Sequence, residues 1–234
     1  MKLRCLLLSL AFTGFSFAAT SALSNTGNTS ETVAIGLSAL RMMSMMPGPF
    51  GPMPGPDNIS SSQAAVSFTT SSQPLTVDSL LLLVDSAFGP GSFSVSLHSN
   101  GVNAPDASLA TFTPVVPGSM PTVGENLYTL SSGLVLQANT TYWIVTGLIP
   151  LASMSSASVG LEATTDLSES SADGHTIGTT IMRSAFNGSP GPWSTDATRA
   201  FQFAINPVPE PTSAVLIMLS GGLFLRRQRS RRAA

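Results

Sequence analysis

The stretch SFSVSLH, residues 92–98, decides the fold class because polar and apolar side chains alternate through it without a break. The apolar set is Phe93, Val95 and Leu97, and the polar set is Ser92, Ser94, Ser96 and His98. A period of two is typical of a β-strand with one buried face. We therefore predict a strand here, with its apolar side chains directed into a core.

Further strand-like segments follow this one at short, even spacing in both directions. Leu75 to Val84 (LTVDSLLLLV) begins alternating and becomes wholly apolar, which predicts a central strand covered on both faces. Thr141 to Leu148 (TYWIVTGL) is rich in β-branched and aromatic residues. The other predicted strands are 64–69, 108–113, 127–130, 134–136, 158–163, 176–183 and 200–205, with a Ser-Ser-Gly turn at 131–133. Eight to ten strands without helical periodicity predict an all-β sandwich.

The segment before these strands has a different composition. Residues 25–40 are predicted to form a loop and a short strand, and residues 41–57 (RMMSMMPGPFGPMPGPD) are rich in Met, Pro and Gly. Proline lacks the backbone N–H that a sheet ladder uses. We therefore predict that 41–57 is a loop.

The N-terminus has the composition of a secretory signal peptide. Lys2 and Arg4 precede an apolar run from Leu6 to Phe17, and small residues precede a cleavage site after Ala18. The only cysteine, Cys5, leaves with this peptide, so the exported domain has no thiol for a disulfide or a thiolate metal site. Export through the Sec pathway is the expected route.

Charge is sparse and mostly negative in the exported part. Residues 19–208 hold three arginines and eleven acidic residues, a net charge of −8. Such a surface lacks the basic footprint of a nucleic-acid-binding protein. No nucleic-acid partner is expected.

The C-terminus combines a proline-rich strip, an apolar run and a basic end. Pro209, Glu210 and Pro211 precede an uncharged run from Ser213 to Leu225. As a helix this run would extend ~20 Å at 1.5 Å per residue, short of the ~30 Å of a bilayer core. The arginines that follow suit a C-terminus held in the cytoplasm; they are Arg226, Arg227, Arg229, Arg231 and Arg232. An ordinary C-terminal helix with a solvated basic end, or a permanent single-span anchor, are the alternatives.

This tail, residues 207–234, resembles the sorting signal of PEP-CTERM proteins of Gram-negative bacteria. The resemblance implies a transmembrane sorting helix that an exosortase recognises and processes. It also implies a transient position in the inner membrane, followed by release to the outer surface or the extracellular matrix.

A second resemblance covers residues 60–206. The segments QAAVSFTT (63–70), SFSVSLHSN (92–100) and LQANTTYW (136–143), with Trp193 ahead of FQFAI (201–205), are similar to the choice-of-anchor R domain. That resemblance implies a jelly-roll-like β-sandwich without assigned catalysis. The expected organisation is a signal helix at 1–18, a strand and loop at 19–59, the sandwich at 60–206 and the sorting helix at 207–234.

The predicted sandwich contains few residues that could support catalysis or bind a metal. His98 falls on a polar face, and His175 follows an Asp-Gly turn at 173–174, where Asp173 could orient it beside one of the many serines. A cluster of carboxylates at 162, 166, 169 and 173 could hold Ca²⁺ but lacks the EF-hand pattern. Methionines at 42, 43, 45 and 46 could bind Cu(I), although a loosely packed patch is the commoner role of such residues.

The two tryptophans are expected in different environments. Trp143 lies within a predicted strand and is expected in the core, whereas Trp193 follows Pro-Gly-Pro and could stack on a sugar ring or close the sandwich. Four Asn-X-Ser/Thr sequons, at 28, 58, 139 and 187, leave glycosylation as a hypothesis. No catalytic residue, cofactor or metal site is expected, and Trp193 is the one candidate ligand contact.

The sequence thus predicts an exported, non-enzymatic surface or matrix protein that is structural, adhesive or associated with extracellular polysaccharide. The alternative is a carbohydrate-binding module or a glycan-active enzyme on the same scaffold. An enzyme would require two carboxylates across a cleft at ~5–10 Å; the candidates are Asp166, Glu169, Asp173 and Asp196.

Overall fold

The computed structural model describes residues 22–30, 34–48, 51–151, 155–168, 174–196 and 198–206, without the side chains of 44–56 and 195–196. These ranges contain β-strands and no helix, which confirms the all-β prediction. The strands are β1 (Leu23–Ser24), β2 (Ile35–Gly48), β3 (Gly51–Thr69), β4 (Leu75–Phe88), β5 (Gly91–Asn100), β6 (Pro105–Pro114), β7 (Gly124–Leu136), β8 (Thr141–Pro150), β9 (Ser155–Leu161), β10 (Ala163–Thr164), β11 (Thr176–Phe186), β12 (Ser189–Pro190), β13 (Ser194–Asp196), β14 (Ala200–Phe201) and β15 (Phe203–Ile205). The predicted signal and sorting helices, at 1–18 and 207–234, lie outside these ranges.

Eight strands pair in a closed ring. Antiparallel ladders join β2 to β9, β3 to β8, β4 to β7 and β5 to β6, as in a long two-stranded ribbon. The ribbon is wrapped on itself by the pairs β2–β3, β4–β9, β5–β8 and β6–β7. Strands β11 and β13 extend the sheet beyond β3, and β15 and β1 extend it beside β4. Closure leaves few unpaired strand edges.

The ring encloses one main apolar core. The alternation predicted for residues 92–98 is confirmed, because Val95 and Leu97 are fully buried while Ser94 and Ser96 face outward. Three aromatic rings lie at the centre, with the Phe68 and Phe203 centroids 6.3 Å apart and the Phe201 and Phe203 centroids 6.1 Å apart. Burial of apolar side chains from every long strand is the main source of stability in such a domain.

Strand β4 is central, as predicted, with β7 on one edge and β15 and β9 on the other. Its two faces differ, because Leu80 and Leu82 are fully buried whereas Leu81 and Leu83 are only partly covered. The second face of this predicted central strand is therefore covered only in part.

The loop predicted for 41–57 was wrong. Residues 41–48 and 51–57 form an antiparallel ribbon of β2 and β3, and Pro47 lies opposite Pro52. In an antiparallel pair a strand directs its N–H groups to a given neighbour only at alternate residues, so prolines fit at the other positions. At the base of the ribbon the Arg41 guanidinium donates to the Asp57 carboxylate, with Nε 2.8 Å from Oδ2.

Residue 60 does not mark the start of the folded unit. Leu23 in β1 and Ile35, Leu37 and Ala39 in β2 are buried in the main core. Since β2 also pairs with β9, the N-terminal segment closes the ring.

The Ser-Ser-Gly turn at 131–133 is an irregularity within one strand rather than the end of a hairpin. Both halves of β7 pair with β4, and the register shifts between Val77 and Ser79. Gly133 fits here because a Cβ would collide with the Asp78 carboxylate.

Candidate functional site

The outer face of the sheet formed by β5, β8, β3 and β11 carries a row of aligned residues, which we call the outer row. The pairing places Ser94 beside Gly147, Gly147 beside Gln63, and Gln63 beside Arg183. In each strand a residue next to the row packs into the main core (Val95, Leu148, Ala64 and Met182), so these four face outward. The row is held by four paired strands and is therefore rigidly positioned.

Arg183 is held at the end of this row by two contacts. Its Nε donates to Oε1 of Gln63 at 2.6 Å, and its Cζ lies 4.3 Å from the centroid of the Trp193 ring. A guanidinium over an indole face is a favourable cation–π arrangement. The side chain is half-buried, and that burial lowers the pKa of Arg183 from its usual value.

Trp193, the candidate ligand contact, is half-buried rather than freely exposed or in the main core. It follows β12 and packs on a small second cluster over the sheet, formed by Ala65, Trp143, Val145 and Ile181. The Arg183 guanidinium lies over its ring. The structure therefore joins Trp193 to a cation that sequence reasoning did not connect with it.

Trp143 is buried, at 5% exposed, but it belongs to this outer cluster and not to the main core. Its indole Nε1 donates to Oδ1 of Asn100 at 2.7 Å. The outer face of this sheet is therefore partly apolar.

Both histidines make structural hydrogen bonds. Nδ1 of His98 lies 3.0 Å from the Asp106 carbonyl oxygen, and Nε2 lies 3.0 Å from the Ser96 hydroxyl. His175 is buried, and its Nδ1 accepts the Ser71 N–H at 2.9 Å. Asp173, the proposed partner of His175, lies outside the described residues.

Of the carboxylates considered for calcium, Asp166 accepts the Ser168 N–H at 3.0 Å, and bonding with Ser168 lowers the pKa of this exposed group. Glu169 and Asp173 are not described. No group of three or more His, Cys, Asp or Glu side chains suited to a metal occurs among the residues described.

The methionine cluster is only partly visible. Met42 and Met43 are 57% and 37% exposed, and the side chains of Met45 and Met46 are not described. The copper hypothesis stays untested.

The side chains of three of the four sequon asparagines form hydrogen bonds with other residues of the domain. The Asn28 amide donates to the carbonyls of Asp166 and Ser168, and Asn187 donates to Asn58. Asn139 is exposed and adopts a positive φ of 48°.

A groove opens where β6 and β7 separate, because these strands pair only at 113–114 and 128–129. It encloses about 560 Å³, and its lining includes Leu109, Val135 and Asn139 but no charged residue. A smaller pocket of about 100 Å³ lies beneath residues 116–122 and is lined by Phe93 and Tyr128. Sequence reasoning missed both, since they depend on how separate segments of the chain pack against one another.

Arg183 and Gln63 were missed for a related reason. They are 120 positions apart in the sequence and meet only through the β3–β11 register. One signal was available: Arg183 is one of only three basic residues between 19 and 208.

The sorting residues Pro209, Glu210, Pro211, Arg226, Arg227 and Arg229 lie outside the described ranges. Within those ranges no helix is long and apolar enough to cross a membrane. No family model matches the chain, and no curated protein or solved structure shows significant similarity to it.

Proposed function

We propose that the protein is an exported, exosortase-sorted component of the cell surface or extracellular matrix, with a non-enzymatic β-domain of the choice-of-anchor R type. The N-terminal signal at 1–18 and the PEP-CTERM-like tail at 207–234 support the route. The role is structural, adhesive or polysaccharide-associated.

The fold favours a jelly roll. If the ring strands β2 to β9 are counted from one to eight in chain order, one pairs with eight, two with seven, three with six and four with five, which is the strand order of a jelly roll. Lectin and capsid domains use such double-sheet scaffolds. Because a scaffold does not determine function, the proposal rests on what the surface displays.

The single observation that carries the proposal is the outer row with its aromatic and cationic end. Side chains fixed on four paired strands offer a preorganised contact surface, as a binding module requires. The structural hydrogen bonds of His98 and His175 are consistent with roles in folding.

A carbohydrate-binding module is the second candidate, and the Arg183–Trp193 pair favours it. The glycan-active enzyme is less well supported, because it needs two carboxylates across a cleft. Asp166 is the only one of the four candidates with a described side chain, and it does not line the open groove.

The experiment compares fractions of the native host with those of a strain that lacks its exosortase. We expect the protein outside the inner membrane only in the wild type. Replacing Pro209-Glu210-Pro211 by three alanines should reproduce the mutant distribution, whereas Pro207→Ala should not. An unchanged distribution in the exosortase-deficient strain would contradict the proposal.

A further inference from the structure

We propose that the outer row binds a single carboxylate carried by an otherwise neutral extracellular glycan, with Arg183 as the group that contacts the carboxylate. The inference rests on the proposed function, since it names the ligand class of the same β-domain. It concerns a uronic-acid residue, which supplies a carboxylate on a sugar ring.

Arg183 is preoriented for such a contact. Its Nε is occupied by Gln63 at 2.6 Å, and its plane is supported by Trp193 at 4.3 Å. The remaining guanidinium N–H groups make no hydrogen bond with any described residue. An arginine held in one orientation presents two parallel donors, which match the two oxygens of a carboxylate.

The cation has no carboxylate partner within the part of the chain that the structure describes. Arg41, by contrast, forms an ion pair with Asp57. A half-buried cation that keeps its charge without a counter-ion loses hydration, and burial alone lowers the pKa of Arg183. An incoming carboxylate would compensate for this loss.

The other members of the outer row are neutral. The rest of the outer row offers the Gln63 amide and the Ser94 hydroxyl, which lie on either side of Gly147. Amides and hydroxyls suit the hydroxyl groups of a sugar. One isolated cation on a domain of net charge −8 suits an isolated acid and disfavours a polyanion, which the domain would repel.

Trp193 acts as a positioning residue. Its ring supports the guanidinium, and the side chain packs on the cluster that includes Ile181. Its fluorescence should therefore report occupancy of the site without the ring itself having to stack on a sugar.

The test is isothermal titration calorimetry, in which three probes are titrated into protein isolated from its host. These are xylotriose bearing one 4-O-methylglucuronic acid, the methyl ester of that compound, and neutral xylotetraose. We expect the free acid to bind and to alter tryptophan fluorescence saturably. The ester and the neutral sugar should bind at least ~10-fold more weakly, because each lacks the charge-assisted hydrogen bonds.

Variants locate the site. Arg183→Gln should weaken binding of the acid by roughly 10- to 100-fold, whereas Arg41→Gln removes an equal charge elsewhere and should leave it within about twofold. The comparison of acid and ester needs no variant, so it remains decisive if Arg183→Gln does not fold.

Equal binding of acid and ester, no binding of the acid, or full binding by a folded Arg183→Gln variant would each overturn the inference. A short aspartate peptide that binds as tightly as the acid, with the same dependence on Arg183, would overturn its glycan part. If the protein is exported correctly but does not bind the acid, this inference alone is refuted. Binding by a protein that is never exported refutes the proposed function alone.

Discussion

Replacing Leu37 by alanine should destabilise the domain strongly, because this side chain is buried in the core that the ring of strands encloses. Leu37 lies in β2, is 1% exposed and belongs to the main core. Truncation forfeits about 2–2.5 kcal/mol of transfer free energy at ~0.8 kcal/mol per buried carbon. The cavity left behind raises the expected loss in the free energy of unfolding to about 3–5 kcal/mol.

Leu40 provides the matched control on the same strand. It is 42% exposed and points away from the core side of β2. Leu40→Ala should therefore cost less than about 1.5 kcal/mol. Both variants remove the same atoms, so the difference between them measures burial.

The assay is urea unfolding followed by tryptophan fluorescence, with thermal unfolding as a second measurement. We expect Leu37→Ala to lower the midpoint without changing the denaturant slope. At about 2–4 °C per kcal/mol for a chain of this size, Tm should fall by roughly 6–20 °C. If Leu37→Ala costs no more than Leu40→Ala, β2 does not contribute to the core and the closed ring is wrong.

Three further outcomes follow from particular contacts. His175→Ala should lower the free energy of unfolding by about 1–3 kcal/mol because the buried Ser71 N–H loses its acceptor; His175→Asn, which keeps an acceptor, should recover part of the loss in the same urea assay, and equal losses would contradict this role. Cysteines replacing Ser38 and Ser158, which are paired across β2 and β9, should form a disulfide that raises stability by about 2–4 kcal/mol until a reductant is added; failure to cross-link under oxidising conditions would argue against this register. Gly89→Ala should destabilise the domain by more than ~1 kcal/mol, because Gly89 has a φ of +76° and a Cβ would collide with the Ser156 carbonyl; a neutral change in Tm would refute the turn geometry.

The sequence predicted the elements whose pattern is local. Alternation at 92–98 identified β5, and the β-branched and aromatic run at 141–148 identified β8. These predictions succeeded because one-sided burial imposes a period of two on the residues themselves.

The ribbon at 41–48 and 51–57 shows where local reasoning failed. A proline excludes strand pairing only where its position must donate an N–H to the paired strand. Pro47 lies opposite Pro52 in a pairing that does not need these donors. The composition of one strand does not determine which of its residues direct their N–H groups to the neighbouring strand.

The candidate site was only half visible in the sequence. Trp193 stood out as a rare aromatic residue in a loop, but Arg183 and Gln63 gained significance only from the alignment of β11 with β3. Long-range register, which depends on the packing of the whole ring, determines which side chains share a face.

The most direct test of the proposed function is the intact mass of the protein recovered from the surface or matrix of its host. We expect a polypeptide that starts near Ala19 and ends near Pro209, without the arginines at 226–232. A surface protein whose mass still includes that arginine tail would contradict exosortase processing, and a protein that retains residues 1–18 would contradict export through the signal peptide.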